Sequence, residues 1–170
     1  MSIHLEIGSG DNPQPGYVHM ERFMGACGSC LPDIIGDACR IPFINGCLDS
    51  VLMFGVFEHF GFFEICGVVL EVFRALKPGG TFKFDVPDFD WFVERYIRPE
   101  LRTGGRDEEW ILKSIFGGQD GPGMKHCWGW NEERLFRFLT DKIFGFSSVS
   151  LIGRQWRDPE PNHLIWECIK

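Results

Sequence analysis

Residues 2–21 read SIHLEIGSGDNPQPGYVHME, and the predicted fold depends on this stretch. Residues 2–7 alternate in polarity and include β-branched side chains, which is typical of a buried strand. Gly8-Ser9-Gly10 follows at once and predicts a tight turn, because glycine tolerates the backbone angles that such turns need. The two prolines that come next exclude a long helix, and a second short strand ends at Glu21. The stretch therefore indicates the start of an α/β sheet whose first helix is reduced.

The rest of the chain continues an alternation of strands and helices. Residues 64–76 predict the clearest helix, since their apolar side chains share one face and Lys77-Pro78-Gly79-Gly80 follows. Further strands are predicted at 33–37, 48–57, 81–86, 147–152 and 162–169. Further helices are predicted after the caps Asp88 and Asn131 and over residues 107–116, with the last helix ended by Gly145. The linker between the final two strands is too short for a helical crossover, so we expect these strands to pair antiparallel. The predicted fold is a single α/β domain over residues 1–170, with a Rossmann-like, mostly parallel sheet and one antiparallel strand near its edge.

Composition and charge limit the classes of function. The chain has 170 residues, of which 44% are hydrophobic, and this excludes an intrinsically disordered protein. The net charge is −7, and residues 1–60 hold seven acidic but only two basic side chains. An acidic protein binds phosphate backbones and anionic membranes poorly, so we expect neither nucleic acid nor a membrane as partner. Without a leader or a long apolar run, the sequence predicts a cytoplasmic protein with reduced thiols.

The seven cysteines raise the alternative of a zinc-stabilised module. Cys27 and Cys30 have the spacing of a zinc knuckle, and Cys39 and Cys47 are candidates for the second half of such a site. The second half is not a compact pair, however, and no histidine lies beside it. The sequence therefore favours free thiols, and we predict no metal.

The carboxyl ends of the predicted strands indicate the kind of ligand, because open α/β sheets bind ligands there. A dinucleotide site is disfavoured, since Pro13 stands where its third glycine would be and nearby acids would repel a pyrophosphate. A cationic cofactor without phosphate fits better. Glu21 is placed to accept from ribose hydroxyls, Asp37 from an adenine amine, and the Ala38 amide to donate to a ring nitrogen. These features point to S-adenosylmethionine.

An ordered set of motifs over nearly the whole chain resembles a known family. The motifs are Glu6-Ile-Gly8-Ser-Gly10, Pro15-Gly16, Asp37-Ala-Cys-Arg-Ile-Pro-Phe43, Phe57-Glu58-His59-Phe60, Lys77-Pro-Gly-Gly80 and Asp85-Val-Pro-Asp88. They resemble the class I S-adenosylmethionine-dependent methyltransferases, and within these a compact subgroup with a Pro-Gly turn and a Gly-Gly-Gln…His element. The resemblance implies a methyltransferase whose cofactor contacts fall on Glu6, Gly8, Gly10, Glu21, Asp37 and Ala38, with Phe54 and Gly55 near the methionine end.

The acceptor side is predicted to come from residues 88–130, as an insertion of helices and loops. Candidate catalytic bases are His126 and Asp88, with His59 third, although Asp88 is equally suited to cap a helix. The resemblance places Gln119 and Trp130 on the substrate side, where tryptophans either stack on a substrate or complete the core. We expect methyl transfer to oxygen or nitrogen of a small molecule or sugar. The alternative is a non-catalytic protein of the same fold that binds the cofactor or a partner. The many Phe and Trp side chains on a small body also suggest a homodimer.

Overall fold

The protein folds around a seven-stranded sheet in the order β3-β2-β1-β4-β5-β7-β6. The computed structural model describes residues 2–10, 12–23, 31–119, 121, 123–154 and 160–170. Neighbouring strands from β3 to β5 are parallel, whereas β7 runs antiparallel to both β5 and β6. The predicted α/β fold with one reversed strand near the edge is confirmed. The strands are β1 (His4–Ile7), β2 (Val18–Glu21), β3 (Ile34–Ile35), β4 (Leu48–Met53), β5 (Leu76–Pro87), β6 (Ser148–Gly153) and β7 (His163–Ile169).

Within the described residues, four α-helices cover the sheet or extend from its carboxyl edge: α1 (Phe62–Ala75), α2 (Phe89–Ile97), α3 (Glu108–Phe116) and α4 (Glu132–Leu139). The predicted caps Asp88 and Asn131 are confirmed, and Asp107 is a third cap, because each of these side chains accepts a hydrogen bond from a backbone N–H in the first turn of the helix that follows. Short 3-10 helices at Ala38–Arg40, Phe57–His59 and Pro99–Leu101 complete the connections.

Two helix ends differ from the prediction for local reasons. Helix α1 ends one residue early, because Leu76 is already extended and pairs with Leu48 of β4. Helix α4 ends at Leu139 and does not continue to Gly145. The Thr140 hydroxyl donates to the carbonyl of Phe136, and a turn follows. The predicted apolar position Ile143 therefore lies outside the helix and is largely exposed.

The core is rich in aromatic side chains, as the composition suggests. Phe57 stacks on Phe84 with their ring centroids 4.3 Å apart, and Trp130 meets Phe57 edge-on at 5.8 Å. All three are buried, as is Trp166 on β7. Much of the Phe and Trp content thus serves packing between the sheet and its helices.

Residues 88–130 leave the sheet after β5 and return to the same place. Asp88 and Trp130 form an isolated parallel bridge, and the Phe89 amide donates to the Trp130 carbonyl at 2.9 Å. Between these points lie α2, α3 and a loop that is closed at its base by a bridge between Gly117 and Lys125. Across the described residues, no helix is both long enough and apolar enough to cross a membrane.

The cysteines of the zinc-knuckle pattern are only partly described. Cys27 and Cys30 lie outside the described residues, so the structure does not address that pair. Cys39 and Cys47 are half-buried free thiols. Burial, together with the charge of Asp37, raises the pKa of the Cys39 thiol to about 11, which keeps it protonated.

Substitution of Gly117 tests whether the loop after α3 requires glycine at this position. Its φ is +79°, and a Cβ added there would overlap the carbonyl oxygen of Met124. We expect Gly117→Ala to lower the free energy of unfolding by more than about 1 kcal/mol. Gly67→Ala is the matched control, because Gly67 lies inside α1 with open space around it and the change should stabilise by about 0.5–1 kcal/mol. Urea denaturation of both variants measures the difference, and equal effects would contradict the strain at Gly117.

Candidate active site

A cavity of about 260 Å³ opens at the carboxyl ends of β1, β2 and β4. The strand order reverses here, because β1 lies between β2 and β4, and open α/β sheets bind ligands at such a crevice. Five of the predicted cofactor residues line it: Gly8, Gly10, Glu21, Ala38 and Gly55. Apolar side chains form much of the remaining wall, among them Met20, Phe23, Val56, Phe60 and Met124. We call this the first cavity.

The glycine turn after β1 forms one wall of the first cavity. Gly8 has a φ of +74°, and a Cβ there would overlap the side chain of Val56. Its amide donates to the Met20 carbonyl at 2.9 Å, which ties the turn to β2. Only glycine meets both demands, so the backbone forms the cavity wall at this point.

Glu21 holds the turn from the other side. Its Oε1 accepts from the Gly10 amide at 2.9 Å and from the Ser9 hydroxyl at 3.2 Å. No described residue donates to Oε2, although the side chain is largely buried at the cavity wall. One carboxylate oxygen thus shapes the turn, and the other remains for a ligand.

Three other predicted cofactor residues lie next to wall residues in sequence but do not line the cavity themselves. Glu6 accepts from the Gln14 amide at 2.8 Å and contacts the His19 ring at 2.9 Å, so it holds the segment before β2. Asp37 accepts from the Cys39 amide at 2.9 Å and caps a 3-10 helix. Phe54 is half-buried beside Gly55. Direct cofactor contacts from these residues stay predictions.

A second cavity, of about 330 Å³, lies beside the first. Residues 88–130 supply most of its wall, and the ends of β4 and β5 with the start of β7 supply the rest. Gly55, His59 and Met124 line both cavities. The remaining wall of the second cavity includes Glu58, Phe92, Trp110, Lys113, Ser114, His126, Asn162 and His163.

His126 lies in the wall of the second cavity. Its Nδ1 is 3.0 Å from the Ser114 carbonyl. A carbonyl only accepts, so Nδ1 carries the proton and Nε2 is the basic nitrogen. Burial, with a smaller effect from nearby His59, lowers the pKa of His126 to about 4. The ring is therefore neutral at pH 7.

Glu58 lies beside His126, with its Oε1 3.9 Å from the histidine Nε2. Burial raises the pKa of Glu58 well above its usual range, and the charge of Asp85 adds to the shift. The side chain is only 4% exposed, and Oε2 has no hydrogen-bond partner among the described residues. The sequence motif includes Glu58, but residue-type reasoning assigned it no role, since nothing in the sequence shows that His126 lies across from it.

The Asp85 side chain holds residues of both cavity walls in position. Its fully buried carboxylate accepts from the Gly55 amide at 2.6 Å and contacts His163 Nδ1 at 2.7 Å. It thereby fixes Gly55, which belongs to both walls, and His163, which lines the second. Asp85 was not predicted as a site residue, although its place near the end of β5 was the available signal.

The remaining predicted acceptor-side residues line neither cavity. Asp88 caps α2 and forms an ion pair with Arg154 at 3.4 Å, and burial raises its pKa. Gln119 is exposed, with a φ of 59°. Trp130 is only 1% exposed and packs against Phe57 in the core. The structure thus brings His126 and His59 together at the second cavity, which Asp88, Gln119 and Trp130 do not line.

Comparison with known proteins supports the fold and its class. Residues 21–84 match a family model described as a methyltransferase domain. A S-adenosylmethionine-dependent methyltransferase from Thermotoga maritima is similar with a TM-score of 0.68 and 16% identity, over 100% of this chain and 82% of that one. One from Archaeoglobus fulgidus gives 0.66 and 12%, over 99% and 86%. This chain has the class I methyltransferase fold.

The methyltransferase fold also covers part of larger relatives. Phosphoethanolamine N-methyltransferase 2 of Haemonchus contortus, solved with S-adenosylmethionine, has a TM-score of 0.56 and 13% identity, over 100% of this chain and 49% of that one. No match is found among curated protein sequences. The resemblance to class I methyltransferases is therefore confirmed by the family-model match and by the fold.

The family-model match covers only some of the residues that line the two cavities. Residues 21–84 run from the end of β2 into β5 and include Glu21, Ala38, Gly55, Glu58 and His59. Residues 88–130, including His126, lie outside the match. The methyltransferase signature thus falls on the first cavity and on only one side of the second.

Asp85 provides a test of how the site is supported. Asp85→Ala removes the buried acceptor of the Gly55 amide and the contact with the His163 ring, and we expect it to lower the free energy of unfolding by about 2–5 kcal/mol. Asp90→Ala is the control, because Asp90 is exposed and bonds only at the surface, so its change should stay within about 1 kcal/mol. Chemical denaturation measures the free energy of unfolding of both variants. A decrease in Asp85→Ala no larger than that in Asp90→Ala would contradict the structural role of Asp85.

Proposed function

We propose that this protein is a S-adenosylmethionine-dependent methyltransferase that transfers the methyl group to oxygen or nitrogen of a small polar molecule or a sugar. The observation that carries the proposal is the shared wall of the two cavities, formed by Gly55, His59 and Met124. A donor in the first cavity and an acceptor in the second would meet at this wall. The methyltransferase domain match and the relatives solved with S-adenosylmethionine or S-adenosylhomocysteine support this cofactor and an enzymatic activity.

In this proposal the first cavity binds the cofactor. The free Oε2 of Glu21 accepts from a ribose hydroxyl, and the Ala38 amide donates to the adenine ring. The glycine turn lets the backbone approach the ligand closely, because a side chain at Gly8 would overlap Val56. The acidic first third of the chain favours a cofactor that carries a sulfonium and an ammonium group.

The second cavity binds the acceptor, with residues 88–130 as the acceptor-side insertion. Its volume of about 330 Å³ suits a small molecule, and its wall is polar where Lys113, Asn162 and His163 reach it. The net charge of −7 opposes binding of a nucleic-acid backbone, which supports the choice of a small molecule.

Methyl transfer is an in-line displacement, so the chain acts chiefly by aligning donor and acceptor. The acceptor oxygen or nitrogen attacks the methyl carbon, the carbon–sulfur bond breaks, and S-adenosylhomocysteine leaves with the electron pair. His126 Nε2 is the unprotonated ring nitrogen beside the proposed acceptor, and it accepts the proton that a hydroxyl acceptor loses as its oxygen gains the methyl group. His59, on the shared wall, orients the acceptor toward the methyl group.

Glu21→Gln tests the cofactor side with little change in shape. Glutamine keeps one oxygen for the Gly10 amide and replaces the other acceptor with an NH₂ group. We expect the affinity for S-adenosylmethionine to fall about 10- to 100-fold, as for loss of a hydrogen bond to a charged group. Calorimetry with S-adenosylmethionine measures the change. Glu133→Gln, an exposed substitution on α4, is the control and should bind normally. Unaltered binding in Glu21→Gln would place the cofactor elsewhere.

His126→Ala tests the acceptor side. His126 lines the second cavity but not the first, so S-adenosylmethionine affinity should stay near wild type while turnover falls about 100-fold or more. Turnover is measured as S-adenosylhomocysteine release with an acceptor found by screening metabolite extracts with labelled cofactor. Loss of cofactor affinity together with turnover would contradict the division into two cavities. Cofactor binding without turnover on any acceptor would favour the non-catalytic alternative.

A further inference from the structure

Three potential metal ligands converge in the wall of the second cavity. Glu58, His59 and His126 each offer one ligand atom, and these atoms all lie within 4.8 Å of one another. The first two residues belong to the 3-10 helix Phe57–His59 that follows β4, and the third lies in the segment between α3 and α4. The group thus joins a part of the fold that the methyltransferase match covers to one that it does not.

Backbone hydrogen bonds hold the two segments against each other. The Cys127 amide donates to the Glu58 carbonyl at 2.8 Å, and the His126 amide donates to the Phe116 carbonyl at 3.1 Å. The bridge between Gly117 and Lys125 closes the loop next to them. Backbone contacts, and not side-chain rotamers alone, therefore bring the three side chains together.

The proton positions on both imidazoles follow from their carbonyl partners. His59 Nδ1 lies 2.9 Å from the Lys125 carbonyl, and His126 Nδ1 lies 3.0 Å from the Ser114 carbonyl. Each Nδ1–H donates, so each Nε2 carries the lone pair. Histidines that bind metals are oriented in this way, with the second ring nitrogen donating to a backbone carbonyl or a carboxylate.

Glu58 supplies an independent observation. Its side chain is only 4% exposed, and Oε2 accepts no hydrogen bond from any described residue. Buried carboxylate oxygens normally have partners, because leaving them without one costs free energy. Glu58 Oε1 faces His126 Nε2 at 3.9 Å, which is too long for a hydrogen bond between them. A cation held between the two atoms would be bound by both, and it would keep the Glu58 carboxylate ionised in its buried position.

We propose that Glu58, His59 and His126 bind a divalent transition-metal ion, with Zn²⁺ as the first candidate. Two imidazoles and one carboxylate are a ligand set that Zn²⁺ uses in catalytic sites, with a fourth position open. A tetrahedral site with bonds of about 2.0 Å places ligand atoms about 3.3 Å apart, so small side-chain rotations close the present geometry around an ion. The open position faces the second cavity.

The metal proposal rests on these contacts and is independent of methyl transfer. If the proposed function also holds, the ion would bind an acceptor hydroxyl and lower its pKa at the shared wall. His126 Nε2 would then act through the metal instead of accepting the proton directly, so the metal content of the active protein decides between the two roles.

Zinc titration of the metal-free protein tests the site without cofactor or acceptor. We expect one Zn²⁺ per chain in calorimetry, and about 100-fold or more weaker binding in Glu58→Gln, which keeps the size of the side chain. His4→Gln is the matched control, because His4 lies at the amino end of β1 and contacts Ser50. The double variant Cys27→Ser/Cys30→Ser separates this site from the zinc-knuckle pattern, and both controls should bind Zn²⁺ like the wild type.

Cobalt provides a second measurement on the unaltered chain. Co²⁺ in the proposed site should give visible absorption of a nitrogen- and oxygen-ligated ion without a thiolate charge-transfer band, and Zn²⁺ should displace it. The proposal is overturned by wild-type protein that binds no Zn²⁺, by binding that Glu58→Gln leaves unaltered, by binding lost in the cysteine variant, or by a thiolate band. Failure of methyl transfer would leave these results standing, whereas calorimetry with S-adenosylmethionine tests the proposed function separately.

Discussion

The buried carboxylate of Asp85 is the constraint on which the site depends. It accepts from the Gly55 amide just after β4 and contacts the His163 ring at the start of β7, so it joins three neighbouring strands at one edge of the sheet. Its own strand, β5, is parallel to β4 and antiparallel to β7. One carboxylate thus binds a backbone amide that follows the parallel strand and a side-chain ring that begins the antiparallel strand. The position of Gly55 between the two cavities follows from this contact.

The sheet and the residues at its strand ends that line the first cavity could be predicted from sequence because local rules decide them. Alternation in residues 2–7, the glycine turn and the breakers after α1 each determine structure within a few residues of themselves. Gly8, Gly10 and Glu21 lie together at the first cavity for the same reason, since strand ends in an α/β fold meet at one edge. The contacts of Glu6 with Gln14 and His19 in the segment before β2 could not be read from its residue type and position.

The second cavity depends on contacts between residues far apart in sequence, which single-residue patterns do not show. The Cys127 amide meets the Glu58 carbonyl 69 positions away, and this contact brings His126 to Glu58. Asp88 has an acidic side chain at a strand end, but a helix begins there and uses it as a cap. Trp130 lies near the predicted site in sequence, but the space beside Phe57 buries it in the core.

The bridge between Asp88 and Trp130 has a consequence for how this fold varies. Residues 88–130 begin and end at one point of the sheet, where the Phe89 amide meets the Trp130 carbonyl. A segment that begins and ends at one point of the sheet can change in length or sequence with little effect on strand register, because closing a longer loop adds only about 0.6 kcal/mol per doubling of loop length. If residues 88–130 bind the acceptor, as proposed, this segment could be replaced by that of a relative to change the acceptor without altering the strands of the sheet.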